Sequence, residues 1–157
     1  LQNALFDQKN KKMSESNLDK ILTISGKPGL FRMISQTRTG VIAISLSDQK
    51  KVVTNIRQQI NLLSEIRVFG LKDEMPLSEI FKLMYQLEKG KQARVKPKAS
   101  IDELESYFFK VFQDYDEDRV YGSDIKKIIQ WYNLLLDSNE LKFDLSKEEK
   151  LSDKEEV

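Results

Sequence analysis

The residues that come nearest to a chemical motif are three aspartates at alternate positions, Asp114, Asp116 and Asp118. Their spacing matches the first, third and fifth ligand positions of an EF-hand loop, where carboxylate oxygens converge on calcium. The sixth position of that loop requires glycine and the twelfth a bidentate glutamate, but this chain has Arg119 and Ile125 there. The sequence therefore predicts no metal site. We interpret the aspartates as a solvated loop between two helices, partly neutralised by Arg119.

A second candidate is the segment Gly26-Lys27-Pro28-Gly29, which has the GxxG form of the loop with which KH domains clamp nucleic-acid phosphates. That function needs a helix on both sides of the loop, whereas a strand pattern follows here from Leu30. Turn geometry is the simpler reason for the two glycines. The sequence contains neither a Walker phosphate loop nor a dinucleotide-binding fingerprint.

The composition removes most catalytic chemistry. The 157 residues include no cysteine and no histidine, which excludes disulfides, thiol nucleophiles, imidazole bases and zinc sites built from these side chains. The 26 Lys and Arg against 25 Asp and Glu give a net charge of +1, so no overall field favours nucleic acid or an anionic membrane. No pair of carboxylates is spaced for acid–base catalysis. We therefore expect no enzyme activity, no cofactor and no small-molecule substrate.

The elements that would position these residues form an α+β chain. A short helix is predicted from Asn17 until Gly26 stops it, and alternating apolar residues then predict four strands near 30–36, 41–46, 51–56 and 65–70. This rhythm is typical of a small SH3-like antiparallel β-barrel or a strongly bent sheet. Helical spacing follows up to Gly90, and two amphipathic helices flank the aspartate loop, the first capped by Ser100 and the second by Ser123.

The predicted organisation has six parts. They are a disordered leader, a small antiparallel β domain, a bridging helix, a basic linker, a helical hairpin and a charged, disordered tail, at residues 1–16, 17–74, 75–88, 89–99, 100–137 and 138–157 respectively. No apolar run reaches the length of a membrane-spanning helix, and the first residues lack the order of a secretion signal. We therefore expect a cytoplasmic protein that does not bind a membrane.

Five blocks of the sequence carry a resemblance to a known family: 18–31, 75–81, 114–121, 123–128 and 131–135. In combination they resemble an uncharacterised two-domain family of Bacteroidota proteins, and the likeness covers roughly residues 17–137. The resemblance implies a bacterial cytoplasmic protein with a small β-rich amino-terminal domain and a helical carboxy-terminal domain. Because that family has no assigned function, the resemblance transfers no catalytic or binding residue.

The densest aromatic cluster lies on the two carboxy-terminal helices. Core packing explains most of it, but Trp131 falls off the apolar stripe of its own helix. Aromatic residues outside a core stripe are enriched at protein interfaces. We therefore predict a non-catalytic protein-interaction module whose contact surface, for a protein partner or a second copy of the chain, includes Trp131, Tyr107 and Phe109.

The alternative is an RNA- or ribosome-associated accessory factor. The linker carries five cations and no acid, and each cation that meets a phosphate adds affinity by counterion release. A linker is also commonly charged simply because it is solvated. The residues that would contact nucleic acid are Lys89, Lys91, Arg94, Lys96 and Lys98.

Overall fold

The computed structural model describes residues 17–141 and 143, and within them it confirms an α+β chain. An antiparallel sheet of five strands comes first, followed by a two-stranded hairpin and three helices. The sheet strands are β1 (Ile21–Ile24), β2 (Lys27–Gln36), β3 (Val41–Ser45), β4 (Lys51–Val53) and β5 (Ile60–Leu62). The hairpin pairs β6 (Arg67–Val68) with β7 (Met75–Pro76), and the helices are α1 (Leu77–Glu88), α2 (Ile101–Val111) and α3 (Gly122–Asp137).

The sheet is open and bent. Its strand order is β4-β3-β2-β1-β5, so β4 and β5 form opposite edges and no closed barrel results. The bent-sheet alternative is therefore confirmed, and the pairing of β1 with β2 and of β2 with β3 shifts register once in each case. One face buries a small cluster of its own, made of Leu22, Ile24, Phe31, Val41 and Ala43.

The predicted helix at Asn17 is wrong beyond its first turn. A single 3-10 turn, Asn17–Lys20, leads directly into strand β1. Ile21 and Leu22 are both fully buried, but they belong to different clusters on the two sides of the strand. Apolar neighbours that face opposite ways are what a strand buried on both faces requires. Of the two glycines ascribed to turn geometry, Gly26, with a φ of 79°, lies in the turn between β1 and β2, whereas Gly29, with a φ of 85°, lies within β2.

The fourth predicted strand does not join the sheet. Only Arg67–Val68 is a strand, and it pairs with Met75–Pro76 immediately before α1. A bridge between Gly70 and Tyr115 then ties this hairpin to the aspartate loop. Gly70 is required there because an added Cβ would come within 2.3 Å of the Asp73 carbonyl oxygen.

The three helices bury their apolar stripes in one core that includes residues of the sheet. The Ser100 hydroxyl accepts a hydrogen bond from the Glu103 N–H at 3.3 Å, which confirms its predicted capping role. Helix α3 begins at Gly122, and there the Asp124 carboxylate accepts from the Tyr121 N–H at 2.9 Å; the predicted Ser123 cap is wrong. The two halves meet through a cluster that includes Ile21, Leu30, Leu46, Leu63, Ile80, Phe81, Met84, Phe108, Ile129 and Tyr132.

The segment after α3 turns back onto the fold, so the predicted disordered tail starts too early. Leu141 is 4% exposed, and Glu140 forms an ion pair with Arg32 of β2. The Phe143 ring meets the edge of Tyr85 on α1, with 5.3 Å between ring centroids. The rest of the predicted tail and the predicted leader lie outside the described residues, in which no helix is long and apolar enough to cross a membrane.

Candidate functional site

Trp131 lies in a groove between helix α3 and the hairpin strand β6. The groove has a volume of about 250 Å³. Residues 66–69 form one wall, and the opposite wall is the face of α3 that carries Asp124, Lys127, Ile128 and Trp131. These positions are i, i+3, i+4 and i+7 of the helix and therefore lie along one side of it. The off-stripe position of Trp131 thus places it on a concave surface rather than within the core.

The groove has an apolar floor and a charged rim. Val68, Leu77 and Val120 are buried beneath it, and Trp131 is half-buried against the same core. Phe69 at its edge is 38% exposed and carries the Arg119 guanidinium 4.3 Å from its ring centroid. An aromatic face with a cation above it is a favourable electrostatic contact. The partly exposed rings of Phe69 and Trp131 and the Arg119 cation therefore lie side by side.

Three cations line this groove, together with one carboxylate. Arg67 forms an exposed ion pair with Glu74 at 3.3 Å, and Lys127 is exposed on α3. Arg119 donates from Nε to an Asp116 carboxylate oxygen at 2.8 Å. The Asp124 carboxylate is engaged at the start of α3, as described above. Two of the three cations, Arg67 and Arg119, are therefore engaged by carboxylates beside the groove.

The aspartate loop holds the groove in shape. Asp116 accepts from the Asp118 N–H at 3.0 Å and from Arg119, and the hydrogen bond from Arg119 is the main cause that lowers the Asp116 pKa. The backbone N–H of Asp116 donates to the Phe69 carbonyl at 3.0 Å, and that of Leu71 donates to the Asp114 carbonyl at 2.7 Å. Among the described residues no group of carboxylates is arranged to hold a metal ion. The loop fastens the hairpin to the helices.

The three predicted interface aromatics do not share a surface. Tyr107 is 2% exposed and lies in the core, so its assignment to a contact surface is corrected. Phe109 is 52% exposed but lines a different, acidic hollow with Asp102, Glu105 and Glu117. Of the three predicted residues, Trp131 is the one in the groove. The amphipathic period of α2 could have separated Tyr107 from Phe109, since helix positions two residues apart do not share a face.

The predicted basic linker is a loop that is fixed to the helices. The Tyr132 hydroxyl donates to the Lys91 carbonyl at 2.7 Å, and the Asn133 side-chain oxygen accepts from the Ala93 N–H at 2.9 Å. The Gln92 amide also reaches the Asp137 carboxylate. Lys89, Lys91, Lys96 and Lys98 are exposed on this loop. Their backbone positions are therefore defined, although their side chains face solvent.

The fifth cation of the loop, Arg94, is engaged by a carboxylate that the sequence reasoning missed. Glu88 is 8% exposed and accepts from the Arg94 N–H at 2.7 Å and from Arg94 Nε at 3.0 Å. The Tyr107 hydroxyl donates to the same carboxylate at 2.8 Å. Burial, followed by the hydrogen bond to Glu88, raises the pKa of Tyr107 well above its ordinary range. Glu88 could have been sought from the sequence, because a tyrosine on the apolar stripe of a helix needs a hydrogen-bond partner for its buried hydroxyl.

The fold and this groove define a small α+β protein in which a bent sheet and a three-helix unit share one core. The sequence comparisons match the two halves separately. Residues 18–63 match the domain of unknown function DUF5606, and residues 66–135 match the domain of unknown function DUF6852. The hairpin and α1 therefore fall within the second match. No functionally curated protein matches the chain.

A solved relative carries the same fold. The solution NMR structure of a Bacteroides vulgatus protein, a structural genomics target, is 38% identical to this chain. The match covers 80% of this chain and 90% of the relative, with a TM-score of 0.67. The chain thus belongs to this uncharacterised two-domain family of Bacteroidota proteins, as the resemblance in its sequence blocks indicated.

Proposed function

We propose that this protein is a non-catalytic, cytoplasmic interaction module that binds a protein partner, or a second copy of itself, in the groove at Trp131. The bent sheet, of SH3-like size, would act as the scaffold. The observation that carries the proposal is a half-buried tryptophan in a concave surface with an apolar floor and a cationic rim. Such anchors, with polar residues around them, supply most of the binding energy at protein interfaces.

The electrostatics of the described residues support a binding role over a catalytic one. A general acid or base works best when its pKa lies near neutral pH. Here burial raises the pKa of Tyr107, Tyr115 and Tyr132, and Arg119 lowers that of Asp116. All four shifts move the groups away from neutrality. These shifts have structural causes and are not what acid–base catalysis requires.

The test is affinity capture of the protein from its own host, with and without nuclease. Two charge reversals on α3 form a matched pair, because Lys127 lines the groove whereas its exposed neighbour Lys126 does not. We expect partners that survive nuclease, are lost with Lys127→Glu and are kept with Lys126→Glu. Equal retention by the two variants would contradict a contact in this groove, and loss of every partner with nuclease would contradict protein binding.

The second candidate function is an RNA- or ribosome-associated accessory factor. It is favoured by one observation, namely that four exposed lysines lie on a loop whose backbone is fixed. Arg94 would contribute little because Glu88 already engages it. Changing Lys89, Lys91, Lys96 and Lys98 to glutamine should remove RNA binding.

Salt dependence separates the two candidates. Four phosphate contacts to a single strand would give a slope of log K against log salt of about −3. An apolar groove contact should change little over the same salt range. A slope near zero, or unchanged RNA affinity after the four substitutions, would argue against the loop as a nucleic-acid site.

A further inference from the structure

We infer that this protein forms a dimer in which the basic loop of each copy, residues 89–99, lies in the acidic hollow beside α2 of the other copy. Both surfaces lie outside the groove at Trp131, so the inference does not depend on the proposed function. The hollow is open and has a volume of about 500 Å³. Its lining includes three carboxylates, two aromatic side chains and one cation: Asp102, Glu105, Glu117, Phe109, Tyr115 and Lys110.

The carboxylates of the hollow are not paired within the chain. No ion pair among the described residues involves Asp102, Glu105 or Glu117. Three carboxylates against one ammonium leave the lining with a net charge of −2. In the same part of the chain no group of carboxylates could hold a metal ion. Carboxylates spread around an open hollow suit ammonium groups carried on separate side chains.

Tyr115 supplies a second observation that points to a ligand. Its side chain is 3% exposed, and its ring packs edge-on against Phe108 with 5.0 Å between ring centroids. Tyr115 lines the hollow, and within residues 17–141 and 143 its hydroxyl makes no hydrogen bond. Burial, followed by the charges of Glu117 and Glu105, raises its pKa, so the hydroxyl lies near these carboxylates. A buried tyrosine hydroxyl normally has a partner, and an incoming ammonium group provides one.

The basic loop presents two lysines on a rigid turn directly before α2. The Ala99 N–H donates to the Lys96 carbonyl at 2.9 Å, and Pro97 fixes the backbone inside this turn. Val95, which precedes Lys96, packs against the core. Lys96 and Lys98 are exposed, and none of the ion pairs in the described part of the chain engages them. Because the turn is already ordered, its docking costs little backbone entropy.

The turn and the hollow are neighbours, which favours a second copy of the chain as the partner. The turn ends at Ala99, and the hollow begins at Asp102, the second residue of α2. One twofold axis therefore brings each turn to the hollow of the other copy. Ile101, between the two, is 62% exposed and is covered in the same contact. The Phe109 ring, which is 52% exposed, offers an aromatic face to an ammonium group.

Salt dependence is the first test of this dimer. The Debye length falls from about 10 Å at about 0.1 M salt to about 3 Å at about 1 M. We expect analytical ultracentrifugation to show dimers that increase with protein concentration at the lower salt and dissociate at the higher. A monomer at every concentration, or a dimer that is indifferent to salt, would overturn the inference. Assemblies that grow beyond dimers would overturn the twofold arrangement.

Charge reversal is the decisive test. Lys96→Glu with Lys98→Glu makes the turn acidic, and Asp102→Lys with Glu117→Lys makes the hollow basic; all four positions are exposed. Each of these two variants alone should associate at least about tenfold more weakly, because like charges then meet across the interface. An equimolar mixture should form heterodimers. In them the acidic turn meets the basic hollow, and the unaltered turn meets the unaltered hollow.

Two further variants serve as controls. The chain with all four substitutions keeps the net charge of +1 and should dimerise as the unaltered chain does. Glu103→Lys, at an exposed position of α2 outside the hollow lining, is matched to Asp102→Lys and should change the association by less than about twofold. If the variants keep their circular dichroism and melting behaviour but the mixture does not associate, the inference is wrong. RNA binding through Lys96 and Lys98 without self-association would assign the loop to nucleic acid instead.

Discussion

Replacement of Glu88 by alanine should destabilise the protein more than any change at an exposed carboxylate. Glu88 is the last residue of α1. Its carboxylate connects this helix to the basic loop at Arg94 and to helix α2 at Tyr107. Its side chain is 5% exposed, whereas that of Arg94 is 50% exposed. Removal of the carboxylate leaves three donors without their acceptor: the buried Tyr107 hydroxyl, and the backbone N–H and Nε of the half-exposed Arg94.

The magnitude follows from this difference in exposure. Hydrogen bonds to a charged group contribute about 1.5–3 kcal/mol, and a buried donor left unpaired costs about 1–3 kcal/mol. The Tyr107 hydroxyl bears the full cost because it is buried, while water can replace the carboxylate at Arg94. We therefore expect Glu88→Ala to lower the free energy of unfolding by about 3 kcal/mol. Tyr107→Phe should cost about 1.5 kcal/mol, since Arg94 still satisfies the carboxylate.

Urea unfolding of the two single variants and the double variant measures the coupling. In the double variant no tyrosine hydroxyl is left without an acceptor. Its loss of unfolding free energy should therefore be smaller than the sum of the two single-variant losses by about 1–2 kcal/mol. Glu79→Ala, at an exposed position of the same helix, is the matched control and should cost less than about 1 kcal/mol. A loss below about 1 kcal/mol for Glu88→Ala, or additive losses, would refute the reasoning.

Three further predictions concern other parts of the fold. Burial raises the pKa of Tyr107 and Tyr132, whereas tyrosines of the unfolded chain titrate near pH 10, so the stability they contribute is present below about pH 10 and lost above it. Urea unfolding at pH 8 and pH 11 should show the decline, and Tyr107→Phe should reduce it. Gly70→Ala should cost about 2 kcal/mol or more, because its Cβ would lie 2.3 Å from the Asp73 carbonyl oxygen; an unchanged midpoint of thermal unfolding would contradict this. Leu141→Ala should cost about 2 kcal/mol in chemical unfolding, since the side chain is buried against the core, and no loss would mean that the segment after α3 does not stabilise the fold.

Sequence periodicity correctly predicted the elements whose apolar pattern fits only one type of secondary structure. Strand β3 alternates buried and half-buried residues, and α2 and α3 bury most of their apolar residues on one face, with Ser100 as the cap of α2. The segment of Ile21 and Leu22 was misassigned because consecutive apolar residues fit both a helix and a strand buried on two sides. The burial partners that decide between them lie in distant parts of the chain.

The candidate site was predictable on one wall only. The off-stripe position of Trp131 indicated an exposed aromatic, and the structure places it in the groove. The other wall comes from residues 66–69, about sixty positions earlier, and their pairing with Met75–Pro76 and with the aspartate loop is non-local. The spacing of hydrophobic residues along the chain does not predict such long-range contacts. The same limit hid Glu88, whose partners are separated from it by six and nineteen positions.

The groove is held open by contacts that do not depend on a guest. One wall is fixed by the Leu77 N–H to the Ile66 carbonyl and by the Asp116 N–H to the Phe69 carbonyl, and the other is a helix packed into the core. The protein therefore has little conformational entropy to lose on binding, and any ordering cost falls on the partner. A guest that was disordered beforehand pays that cost for each residue it fixes. A partner that is already folded would therefore bind this preformed groove at a lower entropic cost than a disordered one.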